Sequence, residues 1–242
     1  MKIAAPCAHP CSTVIWDVGG TLVDRVVGQT EALAHALEAV GLRLEAVDAA
    51  THERAHQQYL RTEPHWRTPE QEQQGFEEIA ALFLERTDAA GDTDQIAQLG
   101  QALGGWDWVY RPVPGIPELL QELGAHGIRQ AVASNWPPSL PRFLRNQRLH
   151  SHFSVIVGSG AEGCRKPGPL FYRRVMERLG VDARTAVFIG NDPDLDILPA
   201  RAAGLVAVHF DPRRQHAGAD AHDVPTLRQH LLPLVGLPAG DR

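Results

Sequence analysis

The chain has 242 residues, of which 43% are hydrophobic and 21% are charged, and its formal net charge is −6. This length suits a core domain that carries a smaller inserted one. No stretch reaches the ~18 apolar residues that a membrane helix needs, and no dense run of lysine and arginine offers the basic surface that nucleic acids bind. We therefore expect a small-molecule ligand, no membrane or nucleic-acid partner, and a monomer or homodimer.

The predicted N-terminal tail, residues 1–11, contains the stretch CAHPC at 7–11. This stretch offers at most three soft metal ligands in a terminus that we expect to be frayed, so we assign no metal to it. The odd count of three cysteines favours reduced thiols over a disulfide framework. The apolar stretch at the start is too short for a secretory signal, and we therefore expect a cytoplasmic protein.

The first predicted strand, STVIWDV at 12–18, reaches Asp17 near its end and is followed by two glycines. From residue 23 to residue 111 the apolar residues recur at helical spacing, and no strand is evident. This pattern predicts an α-helical domain at 23–111, inserted directly after the first strand. Its predicted helices are 29–41, 48–60, 69–87 and 94–103.

Short apolar runs alternate with helical segments from residue 112 onward. The predicted strands are IRQAVAS at 128–134, FSVIVGS at 153–159, AVFIG at 186–190 and LVAVHF at 205–210, and a last helix spans 225–235. Such alternation is typical of an α/β fold with a doubly wound, mostly parallel, Rossmann-like sheet. We predict that residues 12–22 and 112–235 form this core, and that polar residues at the carboxyl ends of its strands share one crevice.

Several histidines lie near the end of the chain without the spacing of a metal-binding motif such as HxxxH. We interpret them as ordinary polar residues of the surface. They are His209, His216, His222 and His230.

The stretch DVGGTL at 17–22 resembles the first motif of the haloacid-dehalogenase-like (HAD) hydrolase superfamily. In that motif an aspartate nucleophile is followed, two residues later, usually by a second aspartate and then by Gly-Thr-Leu or Gly-Thr-Val. The stretch SNW at 134–136 is similar to the second motif, whose hydroxyl residue and following asparagine bind the transferred phosphoryl group. The resemblance implies that Asp17 is the nucleophile and a metal ligand. It implies phosphate binding by Gly19, Gly20, Thr21, Ser134 and Asn135.

The stretch RKPGPLFY at 165–172 resembles the third motif of the same superfamily. The resemblance implies that Lys166 pairs with the nucleophile and with the phosphate. The chain contains one other lysine, Lys2, and otherwise uses arginine, so a lysine at this place by chance is a poor explanation.

The stretch IGNDPDLDILPARAAG at 189–204 resembles the fourth motif, an acidic cluster that holds Mg²⁺. Asn191 stands in the place of the family's first aspartate, and Asp192 follows it directly. Because a carboxylate neutralises the ion and an amide does not, we predict Asp192 as the charged ligand and Asn191 as the alternative. Asp196 is predicted as a second ligand or as a holder of water.

Gly19 is the main departure from the family pattern. The aspartate that usually stands there ligates Mg²⁺ through its backbone carbonyl, and its side chain protonates the leaving group and later activates water. Glycine keeps the first role and loses the second, and a positioned acid contributes about 10²–10⁴-fold to the rate. The resemblance as a whole implies a Mg²⁺-dependent phosphatase that forms an aspartyl-phosphate on Asp17 from a small-molecule phosphate ester, with restricted or slow turnover.

The inserted domain resembles the helical cap that closes over the active site in this superfamily, with Asp24 as a hinge residue. The stretch RTEPHWRTPEQE at 61–72 interrupts the helical pattern with two prolines and displays Trp66 and Arg67. We predict a substrate-facing loop here, with packing inside the cap as an equal alternative for Trp66. Two other functions remain as alternatives: a 2-haloacid dehalogenase, and a phosphate-binding regulatory protein that is weakened in catalysis.

Overall fold

A computed structural model describes residues 10–43, 47–86 and 92–239 of the chain. Cys7, and with it most of the predicted N-terminal tail, lies outside these residues. The strands of the described part are β1 (Thr13–Trp16), β2 (Val23–Arg25), β3 (Tyr110–Pro112), β4 (Arg129–Ser134), β5 (Val155–Gly158), β6 (Ala186–Gly190) and β7 (Val206–His209).

The helices of the described part lie between these strands, except for the last, which follows β7. None of them is both long enough and apolar enough to cross a membrane. They are α1 (Gln29–Glu38), α2 (Ala49–Thr62), α3 (Pro69–Leu84), α4 (Thr93–Gly104), α5 (Ile116–Ala125), α6 (Leu140–Asn146), α7 (Ser159–Glu162), α8 (Pro169–Leu179), α9 (Leu198–Ala202) and α10 (Val224–Leu234).

Five strands form one sheet in the order β5-β4-β1-β6-β7, and every neighbouring pair is parallel. The chain starts at the centre of this sheet, moves to one edge, and then returns to fill the other side. This is the winding of a doubly wound α/β fold. The predicted fold class is confirmed.

Helices cover both faces of the sheet. Successive side chains of β1 point to opposite faces, so Val14 and Trp16 belong to one hydrophobic layer and Ile15 belongs to the other. The first layer is completed by α5, α6 and α10, and the second by α8 and α9. Because both faces are buried, these strands read as continuous apolar runs in the sequence.

Helices α1 to α4 form an insertion between β2 and β3, and they share a hydrophobic cluster of their own. Side-chain caps begin three of them: Asp48, Thr68 and Asp92 accept hydrogen bonds from backbone N–H groups in the first turns of α2, α3 and α4. Trp66 lies in this cluster, and a side chain at Gly75 would collide with its indole ring. The insertion therefore has its own small core.

The two crossings between the insertion and the sheet are paired strands. β2 and β3 form an antiparallel ribbon in which Asp24 lies opposite Arg111. The sequence prediction that no strand occurs in this region is wrong, because strands of three residues are too short to show an alternating pattern. The carboxylate of Asp24, the predicted hinge residue, accepts a hydrogen bond from Nε of Arg213 in the core.

Candidate active site

The carboxyl ends of the central strands bring the predicted site residues together. Asp17 directly follows β1, Ser134 ends β4, and Asn191 follows β6. Lys166 comes from the loop that precedes α8. Because β4, β1 and β6 are neighbours, these side chains meet at one edge of the sheet.

Asp17 and Lys166 form a buried ion pair. Nζ of Lys166 lies 2.6 Å from Oδ1 of Asp17, and each residue is 4% exposed. The same Nζ lies 2.5 Å from Oδ1 of Asp196. Burial alone would lower the pKa of Lys166, but the two carboxylates raise it above its ordinary value. The lysine is therefore held as a cation beside Asp17.

Asp196 supports this ion pair. Its Oδ1 accepts from Lys166, and its Oδ2 accepts from the backbone N–H of Asp192 at 3.1 Å. Burial raises the pKa of Asp196 to about 6, although the charge of Lys166 opposes the shift. These two contacts give Asp196 a role in positioning Lys166, and its role as a second metal ligand or a holder of water stays a prediction.

The loop after Asp17 is a tight turn that closes on itself. The backbone N–H of Gly20 donates to the Val23 carbonyl at 2.8 Å, and that of Thr21 donates to the Val18 carbonyl at 3.2 Å. These two N–H groups are engaged within the turn. The sequence prediction that the backbone of Gly20 and Thr21 binds phosphate is corrected accordingly, and their role is to shape the loop.

This loop also brings Asn191 close to Asp17. Gly20 has a φ of 78°, and a Cβ there would lie 2.8 Å from Nδ2 of Asn191, so glycine is required on both counts. Oγ1 of Thr21 lies 3.4 Å from Oδ2 of Asp17 and 3.4 Å from Oδ1 of Asn191. These contacts are long, so both oxygens keep acceptor capacity for another partner.

Asp192 has a different role. Its Oδ1 accepts from the backbone N–H groups of Asp194 at 2.8 Å and Leu195 at 2.9 Å, and it thereby caps a short π-helix at Pro193–Ile197. Unpaired N–H groups at a helix N-terminus favour a carboxylate in this place. The geometry favours Asn191 over Asp192 as a metal ligand, which is the reverse of the sequence prediction.

Ser134 and Asn135 form hydrogen bonds with different partners. Oγ of Ser134 donates to Oδ1 of Asp17 at 2.8 Å. The side chain of Asn135 brackets the backbone of Lys166, accepting from its N–H at 2.8 Å and donating to its carbonyl at 3.1 Å. The Asn135 amide, predicted to bind phosphate, is thus used to hold the lysine loop.

Gly19 leaves open space beside Asp17. Its φ lies outside the left-handed region, and a Cβ there would meet the Trp136 ring at 3.8 Å, an ordinary contact distance. The position therefore accepts a side chain. Steric demand does not explain the glycine.

Trp66 is packed inside the insertion, whereas Arg67 is exposed and forms a hydrogen bond with the core. Trp66 is 5% exposed and contacts the rings of Tyr59 and Phe76 inside the insertion. Arg67 donates from Nη1 to the Ala161 carbonyl at 2.9 Å, and this hydrogen bond joins the insertion to α7. For Trp66 the structure agrees with the alternative of packing inside the insertion. Arg67 is exposed, and its contact with substrate stays a prediction.

A cavity of about 380 Å³ lies between the insertion and the residues after β4, Asn135 and Trp136. Arg25 of β2 lines it and lies over the rings of Trp106 and Tyr110, 5.4 and 5.7 Å from their centroids. Nε and one Nη of Arg25 are buried and have no hydrogen-bond partner in the described part of the chain. Sequence reasoning missed Arg25, although a charged residue just beyond the first motif was a signal for it.

The geometry at Asp17 is that of a catalytic centre. Burying an ion pair costs desolvation free energy that its attraction does not reliably recover, and buried charged groups of this kind concentrate at functional sites. In doubly wound sheets, substrates bind at the carboxyl ends of the central strands, where Asp17 lies. The class of protein is therefore an α/β enzyme with an aspartate–lysine centre.

Comparison with known proteins identifies the family. A family model described as haloacid dehalogenase-like hydrolase matches residues 11–204. The chain is 32% identical over 207 residues to a phosphoglycolate phosphatase of Rhodospirillum rubrum, covering 81% of this chain and 77% of that protein. A phosphoglycolate phosphatase of Yersinia pestis is 28% identical over 233 residues, with coverage of 93% and 94%. The chain belongs to the haloacid dehalogenase-like hydrolase family, and it is a hydrolase.

Solved structures of the family share the fold. A 2-haloacid dehalogenase from Pseudomonas syringae pv. Tomato DC3000 superimposes with a TM-score of 0.65 at 22% identity, covering 88% of this chain and 94% of that one. A HAD phosphatase from Thermococcus onnurineus has a TM-score of 0.62 at 19% identity, with coverage of 91% and 97%. At such identities the likeness concerns the fold alone.

Proposed function

We propose that this hydrolase is a Mg²⁺-dependent phosphatase that acts on a small phosphate ester. The observation that carries the proposal is the buried carboxylate of Asp17, held by Lys166 and Ser134 at the ends of the central strands. Similarity over most of the chain to proteins named phosphoglycolate phosphatase supports the same reaction.

The oxygen atoms near Asp17 suit Mg²⁺. Oδ2 of Asp17 and Oδ1 of Asn191 are bridged by the long contacts of Thr21 and keep lone pairs for a cation. Mg²⁺ prefers oxygen ligands and keeps several waters. The ligands in this proposal are Asp17, Asn191 and the backbone carbonyl of Gly19. When bound, the ion neutralises charge on the phosphoryl oxygens.

Asp17, Lys166 and Ser134 would have different roles in the reaction. Asp17 attacks phosphorus as the ester oxygen departs, giving an aspartyl-phosphate, and water then hydrolyses this acyl phosphate and restores the carboxylate. Lys166 and the hydroxyl of Ser134 stabilise the charge that develops on the phosphoryl oxygens. Because Gly19 offers no acid, the departing oxygen takes its proton from water, and turnover depends on how readily the leaving group departs.

The proposed leaving group carries a carboxylate that Arg25 binds. Leaving a buried donor without a partner costs about 1–3 kcal/mol, and more for a charged group, so the two unpaired nitrogens of Arg25 favour an anion in the cavity. A guanidinium binds a carboxylate through two parallel hydrogen bonds. The name of the two relatives, phosphoglycolate phosphatase, describes an ester of this kind.

A panel of phosphate esters and 2-haloacids, assayed with and without Mg²⁺, tests the proposed function. We expect phosphate release that needs Mg²⁺ and that is abolished by Asp17→Asn, since the amide is nearly isosteric but cannot form the aspartyl-phosphate. Turnover of 2-haloacids without Mg²⁺ would contradict the proposal in favour of a dehalogenase. Saturable binding of phosphate esters without product would instead indicate a regulatory protein.

A further inference from the structure

A second group of potential metal ligands begins at the last residue of β7, in the stretch HFDPRRQH at 209–216. One ligand atom from each of His209, Asp211 and His216 lies within 4.8 Å of the others. His209 is 5% exposed and Asp211 is fully buried. The sequence-based interpretation of His209 as an ordinary surface residue is therefore wrong.

The hydrogen bond of His209 defines which of its nitrogens is available. Its Nε2 lies 3.0 Å from the backbone carbonyl of Asn191. A carbonyl oxygen only accepts, so Nε2 carries the proton and donates. In a neutral imidazole this leaves Nδ1 with a free lone pair. A hydrogen bond from one nitrogen to a backbone carbonyl is how proteins orient a histidine whose other nitrogen binds a metal.

Asp211 and His216 face each other with unused capacity. Oδ2 of Asp211 accepts from the backbone N–H of His216 at 2.6 Å, which fixes the turn between them. Oδ1 of Asp211 is buried and has no hydrogen-bond partner among the described residues, and the same holds for Nδ1 of His216. That Nδ1 lies 3.5 Å from Oδ2 of Asp211. A buried carboxylate oxygen without a partner carries a desolvation cost that a bound cation would remove.

We propose that His209, Asp211 and His216 form a second cation site that binds Zn²⁺, separate from the proposed Mg²⁺ ligands. Two imidazole nitrogens and one carboxylate oxygen are a ligand set that suits Zn²⁺ and other late first-row divalent ions, whereas Mg²⁺ prefers oxygen ligands. A tetrahedral ion would need a fourth ligand, which would be a water that enters beside the His216 side chain, the most exposed of the three at 33%.

This site adjoins the catalytic edge through one hydrogen bond. A Zn²⁺ ion on Nδ1 of His209 fixes the imidazole with its Nε2–H directed at the Asn191 carbonyl. The ion also ties the turn at 211–216 to the end of β7. Its role is to position the peptide of Asn191, and the ion does not take part in the chemical step.

Zinc titration of the chelator-treated full chain tests the site. The titration is done in excess Mg²⁺, so that the proposed catalytic site is already occupied. We expect one equivalent of Zn²⁺ to bind and to raise the melting temperature. In His216→Ala the Kd should increase by at least about tenfold to a hundredfold, the loss that is typical even for residues that only support a metal ligand. His230→Ala, a partly buried histidine of α10 outside the group, is the matched control and should bind as the wild type does.

A second variant keeps the test independent of the fold of the 211–216 turn. Asp211→Asn retains the side-chain shape and should also weaken Zn²⁺ binding. In a separate measurement, Co²⁺ bound to the wild type in place of Zn²⁺ should show the intense visible absorption bands of a four-coordinate ion. The proposal is overturned if the wild type binds no Zn²⁺ in excess Mg²⁺. It is equally overturned if a folded His216→Ala protein binds Zn²⁺ as tightly as the His230→Ala control.

Discussion

Gly19 lies two residues after Asp17, at the position where the proposed phosphatase would lack an acid for the leaving group. An aspartate fits there, because a Cβ meets the Trp136 ring at an ordinary 3.8 Å and φ is not left-handed. A positioned acid contributes about 10²–10⁴-fold, and a leaving group of low pKa needs little of it. Gly19→Asp should therefore raise kcat/KM on alkyl phosphates by about tenfold or more, and on activated aryl phosphates much less.

The comparison requires kcat/KM for both ester types in both proteins, with folding checked by thermal melting. Gly20→Ala is a useful contrast, because its φ of 78° and the nearby Asn191 side chain predict strain and loss of activity on every ester. Equal rates of the native enzyme on alkyl and aryl esters, with no selective gain in a folded Gly19→Asp protein, would show that another group supplies the proton.

Arg25 is the residue that we expect to select the leaving group. Arg25→Met keeps much of the side-chain volume and removes the charge. Hydrogen bonds to charged groups contribute about 1.5–3 kcal/mol, so KM for phosphoglycolate should rise by about tenfold to a hundredfold. KM for an aryl phosphate without a carboxylate should change little. Arg111→Met, on the paired strand and exposed, is the control, and equal effects of Arg25→Met on both esters would contradict the assignment.

At the junction of β6 with the π-helix, we expect Asn191 to bind the metal ion and Asp192 to cap the helix. Asn191→Ala should raise the Mg²⁺ concentration for half-maximal activity by about tenfold or more, as the loss of a ligand does. Asp192→Ala should change that concentration much less and lower the free energy of unfolding by about 0.5–2 kcal/mol, because it removes an N-cap. Mg²⁺ titration of activity and urea unfolding measure the two effects, and a larger metal effect at Asp192 would restore the original prediction from charge.

The strands of the sheet could be predicted from the sequence, whereas several contacts between loops could not. All five residues of β6 are buried, and such a run between turn residues is a strong signal of a central strand, so the sheet and its crevice were predictable. Asp17 and Lys166 were found because their neighbours carry a motif. The partners of Asn135 and Asp196 were not found, since an amide that brackets a distant lysine depends on loop geometry. His209 and His216 lie close together because the chain turns back at Asp211. The spacing of residues in the sequence does not reveal such a turn.

A buried carboxylate helps to join the insertion to the core. Glu63, directly after α2, is 1% exposed, and its Oε1 accepts from Oγ of Ser159 at 2.5 Å. Nη1 of Arg165 lies 3.5 Å from Oε2. Burial raises the pKa of Glu63 above its ordinary value of 4.5, although Ser159 and Arg165 oppose the shift. We therefore expect the stability of this contact between the insertion and the core to depend on pH.

The raised pKa of Glu63 predicts how the free energy of unfolding changes with pH. Above pH 4.5 the unfolded chain loses the Glu63 proton while the folded protein still holds it. The folded state then binds more protons, so this residue makes the free energy of unfolding fall as the pH rises toward its folded pKa. Glu63→Gln cannot titrate and should show a shallower fall, measured by urea unfolding at pH steps between about 4 and 8.

Glu122 provides a control of opposite sign. Its hydrogen bond with Arg228 lowers the pKa of Glu122 below 4.5, so its stabilising contribution is present above that pH and is lost as the pH falls. Glu122→Gln should therefore reduce the loss of stability on the acid side and leave the fall above pH 4.5 unchanged. The prediction fails if Glu63→Gln and the wild type lose stability in parallel above pH 4.5. In that case protonation of Glu63 does not stabilise the contact between the insertion and the core, and the uncharged contacts between them hold the two together.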